Sequence, residues 1–255
     1  MTNSASAEPS AILSHLHRTD GSATLSQNGY TVIGAVNGPI EVQRRDELPE
    51  EAAIDVIVRP AAGVGGTRER HLESILQSTL RQIILTHNFP RSLIQVTLQV
   101  TSTPENDTAG AKIVQAGSHL AILPTLLQTA VLTLLAASTP LAMIATSVLI
   151  AVNSEGESRN LIQNPNPEQV RSANSVHVLG FTSHGELLLS ESEGSFTLDE
   201  WDEVYETAKA LCSGEKTADD NFMQGVGLEN NKGDMMMFIK SAMERKIAAD
   251  LHYKV

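Results

Sequence analysis

Arg18-Thr19-Asp20-Gly21-Ser22-Ala23-Thr24-Leu25-Ser26-Gln27-Asn28-Gly29-Tyr30-Thr31-Val32-Ile33-Gly34-Ala35-Val36-Asn37-Gly38-Pro39 reads as a turn, a strand, a tight turn and a second strand. Asn28-Gly29 lies between two β-prone runs, and both residues tolerate the positive φ that a two-residue hairpin turn demands. Tyr30 to Val36 forms the second arm, which Gly38-Pro39 is expected to close.

Working outward, Ala11 onward alternates loosely toward the Arg18 turn. Ala53 to Val58 reads as a strand ended by Pro60 and the glycines Gly63, Gly65 and Gly66. Thr67 is the expected N-cap of a helix whose apolar positions Leu72, Ile75, Leu76, Leu80, Ile83 and Ile84 recur at helical spacing. Ser92 to Thr101 alternates as a strand. Ala109 to about Ala137 reads as a long apolar helix or a helix pair broken at Pro124. Ala142 to Val152 reads as an apolar strand in a sheet covered on one face by helices. Val176 to Phe181 and Glu186 to Ser190 are short strands around Ser183-His184-Gly185. Thr197 and Glu200 make a capping box for a helix burying Trp201, Val204, Tyr205, Ala208 and Leu211. Residues 213–233 are polar, Gly-rich and acidic, and are expected to be a flexible loop. A last amphipathic helix spans about Asp234 to Leu251. This order predicts an α+β layered fold, with residues 1–10 a flexible N-terminus and 11–255 a single domain.

Composition narrows function. The formal charge is −12 with a pI near 5.1, so phosphate backbones are repelled at long range and a free-standing basic nucleic-acid binder is excluded. Aromatics are only 4%, too few for an open base-stacking platform. The single cysteine, Cys212, rules out an intramolecular disulfide and a thiolate metal cluster, and fits a reducing compartment. The first ten residues hold no apolar run, so no secretory signal is expected. No charged residue occurs between Lys112 and Glu155, yet Gln115, His119, Pro124, Gln128 and Pro140 divide the run; a buried helix and strand are expected, not a membrane span.

Three pieces of the opening stretch carry a resemblance. Arg18 to Ser22 is similar to an R-x-D-G-S strand turn, Gln27 to Val32 to a Q-G-x-T-x-V hairpin, and Val36 to Val42 to a V-x-G-P-x-E/A-V strand, in the order found in RNase PH family domains. Ile54 to Pro60 resembles the family's second hairpin, Arg68 to Glu73 the arginine-bearing start of its first helix, and Pro90-Arg91-Ser92 its step into the central sheet. The likeness covers nearly the whole chain apart from the extreme N-terminus, the apolar helix near 119–136 and the 213–233 loop. Within the family the chain most resembles the eukaryotic RNA exosome ring subunit called exosome component five in the human naming. The resemblance implies an RNase PH-like two-layer fold with mixed sheets and packed helices. It also implies a hetero-oligomeric, six-membered ring of RNase PH-like subunits, cap subunits with RNA-binding domains, an associated nuclease subunit and single-stranded RNA as partners. The nucleus, nucleolus and cytoplasm are the expected locations.

Phosphorolysis needs an attacking phosphate held by backbone N–H groups and an arginine, and carboxylates at the leaving oxygen. Active relatives meet the first need with a D-G-G-T-R-T loop; the corresponding stretch is Thr103-Pro104-Glu105-Asn106-Asp107-Thr108-Ala109-Gly110, without paired glycines or arginine. They meet the second with an L-D-x-D-Y-x-E-D-type run; here Asn160 to Gln169 holds one acid, Glu168, and two prolines, Pro165 and Pro167. The resemblance therefore implies RNA processing and degradation supported without catalysis, with no catalytic residue, metal or cofactor in this chain. The alternative is an active phosphate-dependent 3′-to-5′ exoribonuclease, and a kinase-like use of Gly63 to Thr67 is a further one. Arg68 and Arg70 are the candidate RNA contacts, as arginines at this place are in family members. Their bland alternative is a solvated helix start paired with Glu69, or an intersubunit ion pair. His15 and His17 are expected on one face of an exposed strand without a third metal ligand. Ser183-His184 and Ser118-His119, adjacent in sequence, imply no triad. Met235 to Met237 is expected to pack.

Overall fold

The computed structural model describes residues 9–104, 119–155, 158–213 and 235–252. The segments expected to be flexible, 1–10 and 213–233, lie almost wholly outside the described residues, as do Glu105 to Gly110 of the first motif stretch and Ser118.

A five-stranded sheet has the order β1-β2-β3-β5-β4: β1 (Ser10–Leu13), β2 (Gly21–Gln27), β3 (Tyr30–Glu41), β4 (Ala53–Arg59) and β5 (Ser92–Ser102). Its pairs are antiparallel except β4 with β5, which run parallel because helix α1 (Thr67–Ile83) carries the chain back between them. A second, wholly antiparallel sheet has the order β7-β6-β8-β9, with β6 (Ala145–Glu155), β7 (Ser158–Gln163), β8 (Ser175–Thr182) and β9 (Leu187–Gly194). Between the sheets lies α2 (Leu123–Ala136), entered by a 3₁₀ turn at Leu120–Ile122.

This placement explains the uncharged run. A helix with a sheet on either side has no solvent face, so α2 is apolar nearly all round, and all but one of its residues are buried. Its threonines spend their hydroxyls on the helix itself: Thr129 donates to the Thr125 carbonyl (2.6 Å) and Thr133 to that of Thr129 (2.5 Å). Gln128 donates to the Ser147 carbonyl of β6 (2.8 Å), tying helix to sheet. Pro124 sits in the first turn, where its missing N–H costs nothing, so it opens this helix instead of breaking one. Among the described residues no helix is long and apolar enough to cross a membrane.

The main core runs through both sheets, α1 and α2, including Val32, Val96, Leu76, Leu80, Leu126, Leu127, Leu149 and Val178. On the far face of the second sheet, α4 (Leu198–Ser213) buries Val204, Ala208 and Cys212 against Val148, Ile150, Leu179 and Phe181. The second sheet is thus covered on both faces, not one, which is why all of β8 is buried. Thr197 and Glu200 form the expected capping box of α4: the Thr197 N–H donates to Glu200 Oε2 (2.7 Å), and the Glu200 N–H to Thr197 Oγ1 (3.3 Å). Helix α5 (Met235–Asp250) lays Ile239 and Ala242 against Ala23, Leu25 and Leu132, and of the three methionines it buries Met236 and exposes Met237.

Several boundaries differ from the sequence reading. β3 continues past Gly38-Pro39 to Glu41, because an irregularity between Asn37 and Ile40 lets pairing with β5 resume. Gly66, not Thr67, is the N-cap of α1. His15 and His17 follow the end of β1 at a bend with Ser14 at φ 56°, so they share no strand face; His15 Nε2 instead lies 3.1 Å from Thr24 Oγ1.

The opening motif proves to be structural. Asp20 Oδ2 accepts the Gly38 N–H (2.8 Å), and Ser22 Oγ accepts that of Leu16 (3.0 Å). A Cβ on Gly21 would run into the backbone at Ala137, so the glycine lets β2 pass the end of α2. Asn28 (φ 52°) and Gly29 (φ 80°) take the two positive angles of a type I′ turn.

Candidate nucleic-acid interface

Parallel strands joined by a helix gather ligand-binding loops at their carboxyl ends. Here the carboxyl ends of β4 and β5, the loop 60–66 and the N-terminus of α1 share one end of the molecule. The β2–β3 hairpin turn lies there too, since Thr31 pairs with Ser102 at the end of β5. Gly29 faces the Pro104 ring, 3.3 Å from where a Cβ would stand, and Asn28 Nδ2 donates to Asn164 Oδ1 (3.4 Å). The turn thus touches both stretches in which active relatives carry phosphate-binding and acidic residues. What it meets there is a proline ring and an amide.

Asn160 to Gln163 run along β7, Asn164 turns the chain at φ 48°, and Pro167 opens the short helix α3 (Pro167–Ser172). The Asn166 N–H donates to Gln169 Oε1 (2.8 Å), capping α3. Glu168 is exposed in its first turn. The two prolines therefore build a turn and a helix start.

The two candidate arginines part company. Residues two apart on a helix differ by about 200° around the axis. Arg70 is exposed and its Nε lies 3.8 Å from Glu73 Oε2, so its carboxylate partner is Glu73 and not Glu69. Glu73 in turn accepts the Val58 N–H (2.9 Å), and Gln77 donates to the Ile54 carbonyl (2.7 Å). These bonds occupy backbone groups on the open edge of β4, which would otherwise invite another strand. Glu69 is engaged with the Gly66 N–H (2.6 Å). The Gly63 to Thr67 loop is exposed throughout.

Arg68 is partly buried on the other side of α1, toward His71 and His119. The two imidazoles meet edge to face, centroids 5.3 Å apart at 73°. Burial, then the Arg68 guanidinium, then His71 hold His119 below the usual histidine range, opposed by Glu193 and Glu191 of β9. His71 and His119 are absent from the candidates that sequence reasoning supplies. The available signal is helix phase, since His71 follows Arg68 by three residues.

The family model for the 3′ exoribonuclease family (RNase PH), domain 1, matches residues 10–151. The chain belongs to this family. The exosome complex component RRP46 of Saccharomyces cerevisiae is 34% identical over 203 residues, covering 77% of this chain and 86% of that protein. Among solved structures, rice (Oryza sativa) Rrp46 superposes with a TM-score of 0.67 at 26% identity, over 81% of this chain and 89% of that one. A chain of the Archaeoglobus fulgidus exosome with RNA bound to the active site superposes with a TM-score of 0.59 at 14% identity, over 79% and 84%, and speaks for the fold alone. These matches support the α+β RNase PH-like architecture expected from the opening motif.

Proposed function

We propose that this chain is a non-catalytic, structural subunit of the RNA exosome ring, supporting 3′-to-5′ RNA degradation and processing, including that of ribosomal RNA, by scaffolding and channelling the substrate. The relatives named Rrp46 support the ring assignment, and the likeness to exosome component five is the finer reading of it. The observation that carries the loss of catalysis is the Asn28-Gly29 turn. It joins Pro104 to Asn164 at the place where phosphate-binding and acidic groups would have to converge. The sole acid of the second stretch, Glu168, is exposed on α3. Neither a general acid nor an anion cradle is assembled from these residues.

On this reading the partners are the other RNase PH-like subunits of a six-membered ring, cap subunits with RNA-binding domains, an associated nuclease and single-stranded RNA. The assembly works in the nucleus, nucleolus and cytoplasm. Arg68 and Arg70 are the proposed RNA contacts. The decisive test is phosphorolysis: the chain, alone and with a co-expressed ring neighbour, is incubated with poly(A) in phosphate buffer. No release of nucleoside diphosphates is expected. Phosphate-dependent release that tracks this chain would establish the alternative, an active exoribonuclease.

A further inference from the structure

Arg68 and His71 stand three residues apart on α1 and so share a face. His71 is exposed, and its ring is packed edge to face against His119 at the entry to the central helix. His119 Nε2 is buried without a hydrogen-bond partner. The charged and titratable groups facing this pair are Arg68 on α1 and Glu191 and Glu193 on β9. With both imidazoles neutral the five groups sum to one negative charge; with both protonated they sum to one positive charge. A phosphate group is repelled in the first state and attracted in the second. Arg70 stands apart from this cluster, next to Glu73 and the β4 edge.

We propose that Arg68 and His71, seated on His119, form a proton-linked contact site for the phosphates of single-stranded RNA, while Arg70 is a structural residue of the β4 edge. This rests on the RNA-channelling reading above and divides the work between its two arginines. Imidazole gains its charge between pH 5 and 8, so the site strengthens within that range. The partly buried guanidinium supplies the fixed charge, and the two histidines set the sign of the field around it. Glu191 and Glu193 sharpen the response, because they oppose phosphate until the histidines offset them.

The test measures binding of a fluorescent oligo(A) to the assembled ring at pH 6, 7 and 8 and at several salt concentrations. Wild type and rings carrying Arg68→Gln, Arg70→Gln, Arg68→Gln/Arg70→Gln, His71→Gln and, as a control at an exposed turn, His184→Gln are compared, with size exclusion confirming assembly. Wild type is expected to bind roughly three- to tenfold tighter at pH 6 than at pH 8, and His71→Gln to lose that difference while His184→Gln keeps it. Arg68→Gln is expected to reduce the salt slope by about 0.7, the value of one single-strand phosphate contact, and Arg70→Gln to leave it unchanged. A pH response that survives His71→Gln, or a slope that falls with Arg70→Gln and not with Arg68→Gln, overturns the proposal and leaves the RNA reading standing. An unchanged slope in the double variant overturns the RNA reading itself. Inorganic phosphate is run as a separate arm by ³¹P line broadening; broadening abolished by His71→Gln without any change in oligo(A) binding assigns the site to free phosphate and overturns the RNA assignment.

Discussion

Replacing Gly34 by alanine should loosen the seat of the central helix. Gly34 faces α2 from β3, and a Cβ there would collide with Thr133 Oγ1, stand 3.0 Å from Thr129 Cγ2 and 3.3 Å from Leu98 Cδ2. All three neighbours are fully buried, so none can swing into solvent. Overpacking of this kind costs about 1–3 kcal/mol. If the Thr133 hydroxyl rotates away, its bond to the Thr129 carbonyl goes with it, adding about 1 kcal/mol. The total, about 2–4 kcal/mol, corresponds to a fall in Tm of roughly 5–15 °C for a domain of this size. Thermal unfolding of the full chain followed by circular dichroism measures it. Thr133→Ala vacates the contested volume, so the double variant should lose at least about 1 kcal/mol less than the two single losses together. A Gly34→Ala protein within about 0.5 kcal/mol of wild type, or strict additivity in the double variant, would refute the idea that α2 is seated by this contact.

Other expectations follow from the same geometry. Glu168→Ala should leave RNA degradation by the assembled complex unchanged in a time-course assay, and a tenfold fall would give this exposed acid a catalytic role. Glu73→Ala removes the acceptor of the Val58 N–H and the partner of Arg70, so stability should drop by about 1–3 kcal/mol and light scattering should reveal self-association through the uncovered β4 edge; equal stability and scattering would show that the edge needs no cover. His177 is fully buried with its ring nitrogens 2.8 and 2.9 Å from the hydroxyls of Ser192 and Ser175. Burial holds it below the usual histidine range despite Glu200. The unfolded chain therefore binds the extra proton first, so His177 contributes stability that is complete above about pH 6.5 and declines as pH falls below it. Denaturant midpoints that stay flat from pH 7 to 5 would contradict this.

What the sequence discloses divides along physical lines. The hairpin at Asn28-Gly29 and the capping box at Thr197 and Glu200 are legible because each is a local rule: two positive φ angles, two reciprocal bonds. The apolar run is legible as core, but its coverage on both sides is not, because continuous burial looks the same in a strand whichever layers cover it. β7 escapes notice because Ser158 to Gln163 alternates weakly and takes its strand character from pairing with β6. α3 hides behind Asn164-Pro165-Asn166-Pro167, which reads as loop although Asn166 caps and Pro167 opens a helix. Arg68 and Arg70 look like a pair in sequence and separate only when the helical phase is followed. His119 meets His71 through the fold alone, so no local pattern announces it.

Native mass spectrometry of the complex purified through this chain at endogenous level tests the central claim most directly. One copy of the chain with five other RNase PH-like chains, together with cap and nuclease subunits, is the expected composition. A monomer, or an assembly of this chain alone, would contradict it.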